Sequence, residues 1–150
     1  MLGRTTPIHK IVRRNQERWR AIEARLGREA TVWLATVRQD GRPHLVPLWF
    51  VWLDDKVYVA ASSYSQKYKN LRYNQNVALS LADAYSVVLL EGEAHAASRA
   101  TIEKVAEYFF HKYEWDFRQD DQDDWRLIEI TVHKILAWGD GHEDEGIRVR

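Results

Sequence analysis

Residues 31–62 read TVWLATVRQDGRPHLVPLWFVWLDDKVYVAAS, and apolar side chains recur at every second position over much of this stretch. Such alternation is typical of β-strands, because successive side chains of a strand point to opposite faces of the sheet. Turn-forming residues interrupt the pattern at Gln39-Asp40-Gly41-Arg42 and at Asp54-Asp55-Lys56. The stretch therefore predicts a meander of three antiparallel strands over residues 31–38, 43–53 and 57–62.

The second of these strands contains a proline. Pro47 lies within the apolar run 45–53 but has no N–H group to donate to a neighbouring strand. We therefore expect one side of the strand to be unpaired or bulged near Pro47.

Sequence outside the meander predicts helices and further strands. Ser65 and Ser98 are placed to cap helices over residues 66–74 and 99–113. The strand pattern returns over residues 77–82, 86–97 and 126–138, and the polar tail 139–150 is expected to fray. About six strands and three helices that share one core predict an α+β domain over residues 1–150, built on an antiparallel barrel or strongly curved sheet.

The N-terminal segment is basic and amphipathic. Residues 1–28 carry eight Lys and Arg against two acidic side chains, and Pro7 and Gly27 suit the two ends of a helix. The apolar positions that recur at helical spacing are Ile8, Ile11, Val12, Trp19, Ile22 and Leu26. A solvated basic face packed onto the domain is favoured over a contact with nucleic acid or a membrane.

Composition excludes several classes of protein. The 150 residues include no cysteine, and 22 Lys+Arg balance 22 Asp+Glu. A neutral chain argues against nucleic acid or an anionic membrane as a partner. Because no apolar run is long enough for a signal peptide or a membrane span, we expect a cytoplasmic protein.

Common catalytic and metal-binding motifs are missing from the sequence. The six histidines have no ligand spacing, and the acidic segment 114–124 does not resemble a calcium-binding loop. We expect that segment to be a solvated loop or a helix end and predict no metal site. Neither a serine elbow nor a glycine-rich phosphate loop occurs.

The segment 58–71, YVAASSYSQKYKNL, is the most informative for function. It places Ser62, Ser63 and Ser65 before a helix whose first turn contains Lys67. A cation there opposes the helix dipole, which makes sense if a phosphate docks among the hydroxyls, the free N–H groups and the lysine. The alternative is that Ser65 only caps the helix and Lys67 points to solvent.

Several motifs in order resemble the pyridoxamine 5'-phosphate oxidase-like, FMN-binding split β-barrel family. They are Ala35-Thr36-Val37-Arg38-Gln39-Asp40-Gly41-Arg42-Pro43-His44, Val46–Phe50, Ser65-Gln66-Lys67 with Asn70-Leu71, Asn76-Val77-Ala78-Leu79, and Glu91-Gly92. The resemblance covers roughly residues 29–97 and, more loosely, the last strand to Trp138. It implies a split barrel, a homodimer with flavin sites at the interface, and hydride transfer between bound FMN and a small organic substrate.

The resemblance also implies residue roles. Lys67 and Ser65 would bind the flavin phosphate. Apart from the resemblance, the position of Trp138 at the end of the last strand makes it a further candidate neighbour of the cofactor, in the partner subunit's site. The strand beside the ring would be Val46, Pro47, Leu48, Trp49 and Phe50, and Tyr58, Ala60, Ser62 and Ser63 would complete the cradle. Trp49 and Phe50 can form an apolar wall for a flat cofactor, with core packing as the alternative. No catalytic residue is predicted.

The C-terminal sequence departs from pyridoxamine phosphate oxidases proper. Residues 135–142, ILAWGDGH, contain no counterpart of their Arg-Leu-His-Asp-Arg type segment, so the vitamin substrate is not expected. The chain looks more like the short members, some of which use the deazaflavin coenzyme F420 and some of which bind haem. The alternatives are an F420-dependent reductase, whose acidic cofactor tail the basic helix would help to hold, and a non-catalytic flavin- or haem-binding protein.

Overall fold

The computed structural model describes residues 16–139 and the backbone of residues 142–149. Its helices are α1 (Gln16–Arg28), α2 (Gln66–Leu71) and α3 (Arg99–Tyr113). Its strands are β1 (Val32–Val37), β2 (Pro43–Leu48), β3 (Val51–Leu53), β4 (Lys56–Ser62), β5 (Asn76–Leu81), β6 (Ser86–Ala96), β7 (Trp125–Gly139) and β8 (His142–Val149). None of the helices within this part of the chain is long and apolar enough to cross a membrane.

All eight strands form one antiparallel sheet in the order β2-β1-β5-β6-β7-β4-β3, with β8 added to β7. The two edge strands, β2 and β3, are separated in the chain by Trp49 and Phe50 alone. A flat sheet of this kind would hold its edges about 29 Å apart, whereas the connecting residues span at most about 10 Å. The sheet must therefore curl until its edges meet, which confirms the predicted α+β split barrel.

The predicted single strand over residues 43–53 is wrong. The chain instead forms β2, which pairs with β1, and β3, which pairs with β4. Between them the Phe50 N–H donates to the Tyr113 hydroxyl at 2.9 Å, and the Phe50 carbonyl accepts from Lys112 Nζ at 3.0 Å. Because α3 satisfies this backbone, the chain can leave one edge of the sheet and enter the other. The unpaired side expected near Pro47 is confirmed, since β2 is an edge strand.

Two apolar cores lie on opposite faces of β4. Val57, Val59 and Ala61 point into the barrel, where they are joined by the buried face of α1. Tyr58 and Ala60 point outward and pack beneath α3 with Phe109. The outer face of β4 therefore lies under α3, and its residue Ala60 lines the candidate site.

The helices agree with the sequence in their caps and less well in their lengths. Ser65 caps α2 and Ser98 caps α3 as predicted, but α2 ends at Leu71 rather than at residue 74. Trp19, Ile22 and Leu26 form the buried face of α1. The other predicted apolar positions of the N-terminal helix, Ile8, Ile11 and Val12, lie outside the described residues.

The expectation of a frayed tail over residues 139–150 is also wrong. The backbone of residues 142–149 forms β8, which pairs with the end of β7. Gly139 makes the reversal possible, because its φ of 95° is a conformation that other residues avoid. The tail is polar and gives no strand signal of its own, so only pairing with β7 explains its structure.

Candidate functional site

An aromatic pocket opens at the split between β2 and β3. Trp49, which is 48% exposed, stacks on Tyr113 of α3 with ring centroids 4.6 Å apart and an interplanar angle of 2°. Trp115 meets Trp49 edge-on at 5.8 Å. The pocket has a volume of about 320 Å³, and the residues that line it include Pro47, Leu48, Trp49, Ala60, Trp115 and Trp125.

The end of α3 builds the far wall of this pocket. Glu114 has a left-handed backbone, φ 54°, which stops the helix and turns the chain back beneath it. Trp115 and Phe117 then pack edge-on against the fully buried Phe109. The near wall is the edge strand β2, whose outer backbone groups have no partner strand within the described part of the chain and can hydrogen-bond a flat ring.

The outer face of β4 leads from the aromatic pocket to a polar end of the site. Ser62 lies two residues beyond Ala60 on the same face, about 7 Å along the strand. Ser62 Oγ donates to Asp123 Oδ1 at 2.6 Å, and Ser63 Oγ donates to Asp124 Oδ2 at 2.6 Å. We define the polar end as these two serines, these two aspartates and Lys67.

Lys67 and His44 are electrostatically linked at the polar end. Burial lowers the pKa of Lys67, and the Asp123 carboxylate partly offsets this effect. Burial also lowers the pKa of His44, and the positive charges of Arg38 and Lys67 lower it further. His44 Nδ1 is buried without a hydrogen-bond partner among the described residues. His44 belongs to the motif that resembles the family, but no local pattern predicts its proximity to Lys67, which arises only when β2 and α2 come together.

The acidic segment 114–124 begins at the end of α3, which confirms one of the two expectations, but the rest of it is more than a solvated loop. Trp115 lines the aromatic pocket, and its Nε1 donates to Asp120 Oδ2 at 2.7 Å. Asp123 and Asp124 then hold the serines of the polar end. The segment therefore connects the two ends of the site.

The sequence model of the pyridoxamine 5'-phosphate oxidase family matches residues 19–139. This chain belongs to that family. No curated protein matches it.

Solved structures share the fold of this family member at low sequence identity. An F420 reductase is 24% identical, covers 75% of this chain and 94% of its own, and has a TM-score of 0.63. General Stress Protein 26 from Bacillus anthracis is 23% identical, with coverages of 86% and 96% and a TM-score of 0.64. HutZ, a haem storage protein from Vibrio cholerae, is 21% identical, with coverages of 82% and 96% and a TM-score of 0.62.

The structure gathers most, but not all, of the residues that the resemblance to this family selects. Pro47, Leu48, Trp49 and Ala60 line the aromatic pocket, and Ser62, Ser63 and Lys67 lie at the polar end. Ser65 caps α2, and its hydroxyl donates to the Ser62 carbonyl at 2.7 Å.

Four of the selected residues lie elsewhere. Phe50 is fully buried in the barrel core, so the expected wall of Trp49 and Phe50 is replaced by Trp49 and Trp115. Tyr58 is buried beneath α3 and donates to Glu129 Oε1 at 3.0 Å. Val46 pairs with Leu34, outside the pocket lining. Trp138 lies at the opposite end of β7 from Trp125 and is 40% exposed.

A second, larger cleft lies on the other side of Trp125. It has a volume of about 600 Å³ and runs between α2 and α3. The polar side chains Arg72, His95, Arg118 and Arg126 stand over an apolar floor that includes Leu71 and Ile102. Arg118 is paired with Asp116 and Glu103, and Arg126 with Asp124, whereas Arg72 has no ion pair among the described residues.

The aromatic pocket fits the ring of a flavin better than the polar end fits its phosphate. The aromatic pocket has the flat apolar walls and free strand edge that an isoalloxazine ring needs. Lys67 supplies a cation for the phosphate, but the Ser62 and Ser63 hydroxyls already donate to carboxylates. The ring therefore fits the site as it stands, and the phosphate fits through Lys67.

Proposed function

We propose that this family member is an oxidoreductase that binds FMN with the ring in the aromatic pocket and transfers hydride to or from a small organic substrate. The observation that carries the proposal is the pocket itself, in which Trp49, stacked on Tyr113 and met edge-on by Trp115, lies beside the edge strand β2. The alternative cofactor is F420, and the similarly folded F420 reductase supports testing it in parallel.

Hydride chemistry would be supplied by the bound cofactor. The protein would orient the ring against Trp49 and Trp115, exclude water from its face and hydrogen-bond its edge through the β2 backbone. Lys67 would hold the phosphate. The six pocket residues named above bear no carboxylate, imidazole or amine, so we assign no general acid or base.

We further propose a homodimer whose interface adjoins the aromatic pocket. Trp33 and Leu45 are 38% and 61% exposed on the outer face of β1 and β2, and Pro47 lies opposite Trp33 in the register. An exposed apolar patch of this kind favours contact with another subunit. Because Pro47 belongs to both the patch and the pocket, a second subunit seated there would border the bound ring and bring its own Trp138 as a candidate neighbour.

Parallel titrations test which cofactor the protein binds. Cofactor-free protein is titrated with FMN and with F420 while fluorescence is followed, and the complex that forms is reduced and mixed with candidate acceptors. We expect saturable binding of one cofactor and acceptor-dependent reoxidation. Binding without reoxidation by any acceptor would favour a carrier, and failure of both titrations would remove the oxidoreductase proposal.

The larger cleft supports haem binding as a second candidate function. A haem is flat and apolar with two carboxylates, and the cleft combines about 600 Å³ with an apolar floor, Arg72 at its rim and His95 as a possible iron ligand. The similarly folded HutZ is named as a haem storage protein. Haem titration should then give an absorption spectrum that His95→Ala alters, while Trp49→Ala leaves it unchanged. An identical spectrum in His95→Ala would exclude this site.

A further inference from the structure

Tyr113, the last residue of α3, holds two connections of the barrel with one hydroxyl group. The hydroxyl accepts from the Phe50 N–H at 2.9 Å, and its single proton can go to the Phe50 carbonyl or to the Ala30 carbonyl, each at 2.8 Å. Phe50 belongs to the crossing from β2 to β3, and Ala30 belongs to the link between α1 and β1. Burial raises the pKa of Tyr113, so the hydroxyl keeps this proton at neutral pH. Tyr113 therefore ties both connections to α3.

The ring of the same residue supports a wall of the aromatic pocket. It stacks on the Trp49 indole with an interplanar angle of 2° and ring centroids 4.6 Å apart, which is a favoured geometry for two aromatic rings. Among the described residues, Trp49 lines the pocket and Tyr113 does not. Tyr113 thus covers one face of the indole from outside the pocket, and the opposite face of the half-exposed Trp49 remains for a ligand.

The hydroxyl and the ring of Tyr113 act on neighbouring residues. Trp49 directly precedes Phe50, so the hydrogen bonds hold the backbone beside the wall residue while the stack holds its side chain. Lys112 also donates to the Phe50 carbonyl, at 3.0 Å, and its ammonium lies 4.1 Å from the centroid of the Phe50 ring. Lys112 therefore supports the same crossing, whereas the stack on Trp49 comes from Tyr113.

We propose that Tyr113 is a positioning residue that holds Trp49 in one orientation and leaves a single face of its indole for a bound flavin ring. This inference rests on the proposed function. A wall that is already held before the ligand arrives spares binding the cost of immobilising the Trp49 side chain. Tyr113 would raise the affinity for the ring without touching it, so it is not a catalytic residue.

Fluorine NMR tests the position of Trp49 in the protein without any ligand. The full chain is prepared with fluorotryptophan at its seven tryptophans, and the Trp49 line is identified by its loss in Trp49→Phe. We expect one narrow Trp49 line in wild type. In Tyr113→Phe the line should shift, broaden or double, because this variant keeps the ring but loses the hydrogen bonds to Phe50 and Ala30. Tyr108→Phe, which removes an exposed hydroxyl from the same helix, should leave the line unchanged.

Titration with riboflavin tests the consequence for binding. Riboflavin has the flavin ring but no phosphate, so Lys67 does not contribute to the result. We expect Tyr113→Phe to weaken riboflavin binding by about three- to tenfold, and Tyr108→Phe and Lys112→Met to weaken it by less than about twofold. Lys112→Met is the matched control, because it removes a donor to the same Phe50 carbonyl and leaves the stack on Trp49 in place. Circular dichroism and urea unfolding check that each variant is folded.

Three results would overturn the inference. They are a broad or doubled Trp49 line in wild type, an unchanged line and Kd in Tyr113→Phe, or an equal loss of affinity in Lys112→Met. If Tyr113→Phe does not fold, the wild-type line decides, because it requires no substitution. In each of these cases the proposed function would survive as long as wild type binds riboflavin. If wild type binds neither riboflavin nor FMN, the proposed flavin site falls, and the role of Tyr113 in binding falls with it.

Discussion

The two ends of the candidate site are stabilised in different ways. The walls of the aromatic pocket hold one another, as the stack of Trp49 on Tyr113 and the edge contact with Trp115 show. At the polar end, by contrast, the hydroxyls are satisfied by Asp123 and Asp124. A ring therefore adds buried apolar surface, whereas a phosphate exchanges one set of hydrogen bonds for another. The comparison teaches that affinity should come mainly from the ring.

The largest expected effect comes from removing the support beneath the aromatic pocket. Phe109 is fully buried and contacts Tyr113, Trp115 and Phe117. Phe109→Ala should lower the free energy of unfolding by about 3–5 kcal/mol, because it leaves a cavity in the core. Urea denaturation measures this loss, with the exposed Phe110→Ala as the control. Equal and small losses of unfolding free energy in both variants would mean that Phe109 does not support the aromatic pocket.

The next largest effect is expected from Trp49, whose role in cofactor binding can be separated from a role in folding. Trp49 is half-exposed, so Trp49→Ala should weaken FMN and riboflavin binding alike by about 2–3 kcal/mol while unfolding stays cooperative. Calorimetric titration gives the Kd values, and Tyr85→Ala, which removes an aromatic ring 82% exposed elsewhere, is the control. Loss of cooperative unfolding in Trp49→Ala would instead support core packing as the role of this residue.

A smaller effect is expected from the cation at the polar end. Lys67→Ala should weaken FMN binding by about 1.5 kcal/mol, the scale of a hydrogen bond to a charged group, and leave riboflavin binding unchanged. Lys69→Ala, an exposed lysine on the same helix, is the matched control. An unchanged Kd for FMN would remove Lys67 from the phosphate site.

The last prediction concerns the pH dependence caused by Lys112, which hydrogen-bonds the backbone between β2 and β3. Burial lowers the pKa of Lys112 to about 8, while the unfolded chain keeps the ordinary value of 10.5. Between these values the unfolded state binds more protons, so the stability of wild type should rise with pH from about 8 to about 10. Unfolding curves of Lys112→Met provide the reference. A wild-type profile parallel to that of the variant would contradict the lowered pKa.

Local patterns predict the strands and helix caps, but the site depends on contacts between distant residues. Alternation locates the strands, and Ser65 and Ser98 cap the helices as expected. The break after β2 depends on Tyr113, which lies 63 residues from Phe50. The role of the acidic segment depends on Asp123, which lies 61 residues from Ser62. No local signal marks either contact, so the sequence predicts one continuous strand and a solvated loop or helix end.

The central claim is that a flavin ring lies in the aromatic pocket at the split of the barrel. A crystal structure of the protein with bound FMN tests it most directly. The account predicts the ring in the aromatic pocket against Trp49 and Trp115, with its edge against the backbone of Pro47 and Leu48. A ring found in the larger cleft beside His95 and Arg72, or anywhere else outside the aromatic pocket, would contradict it.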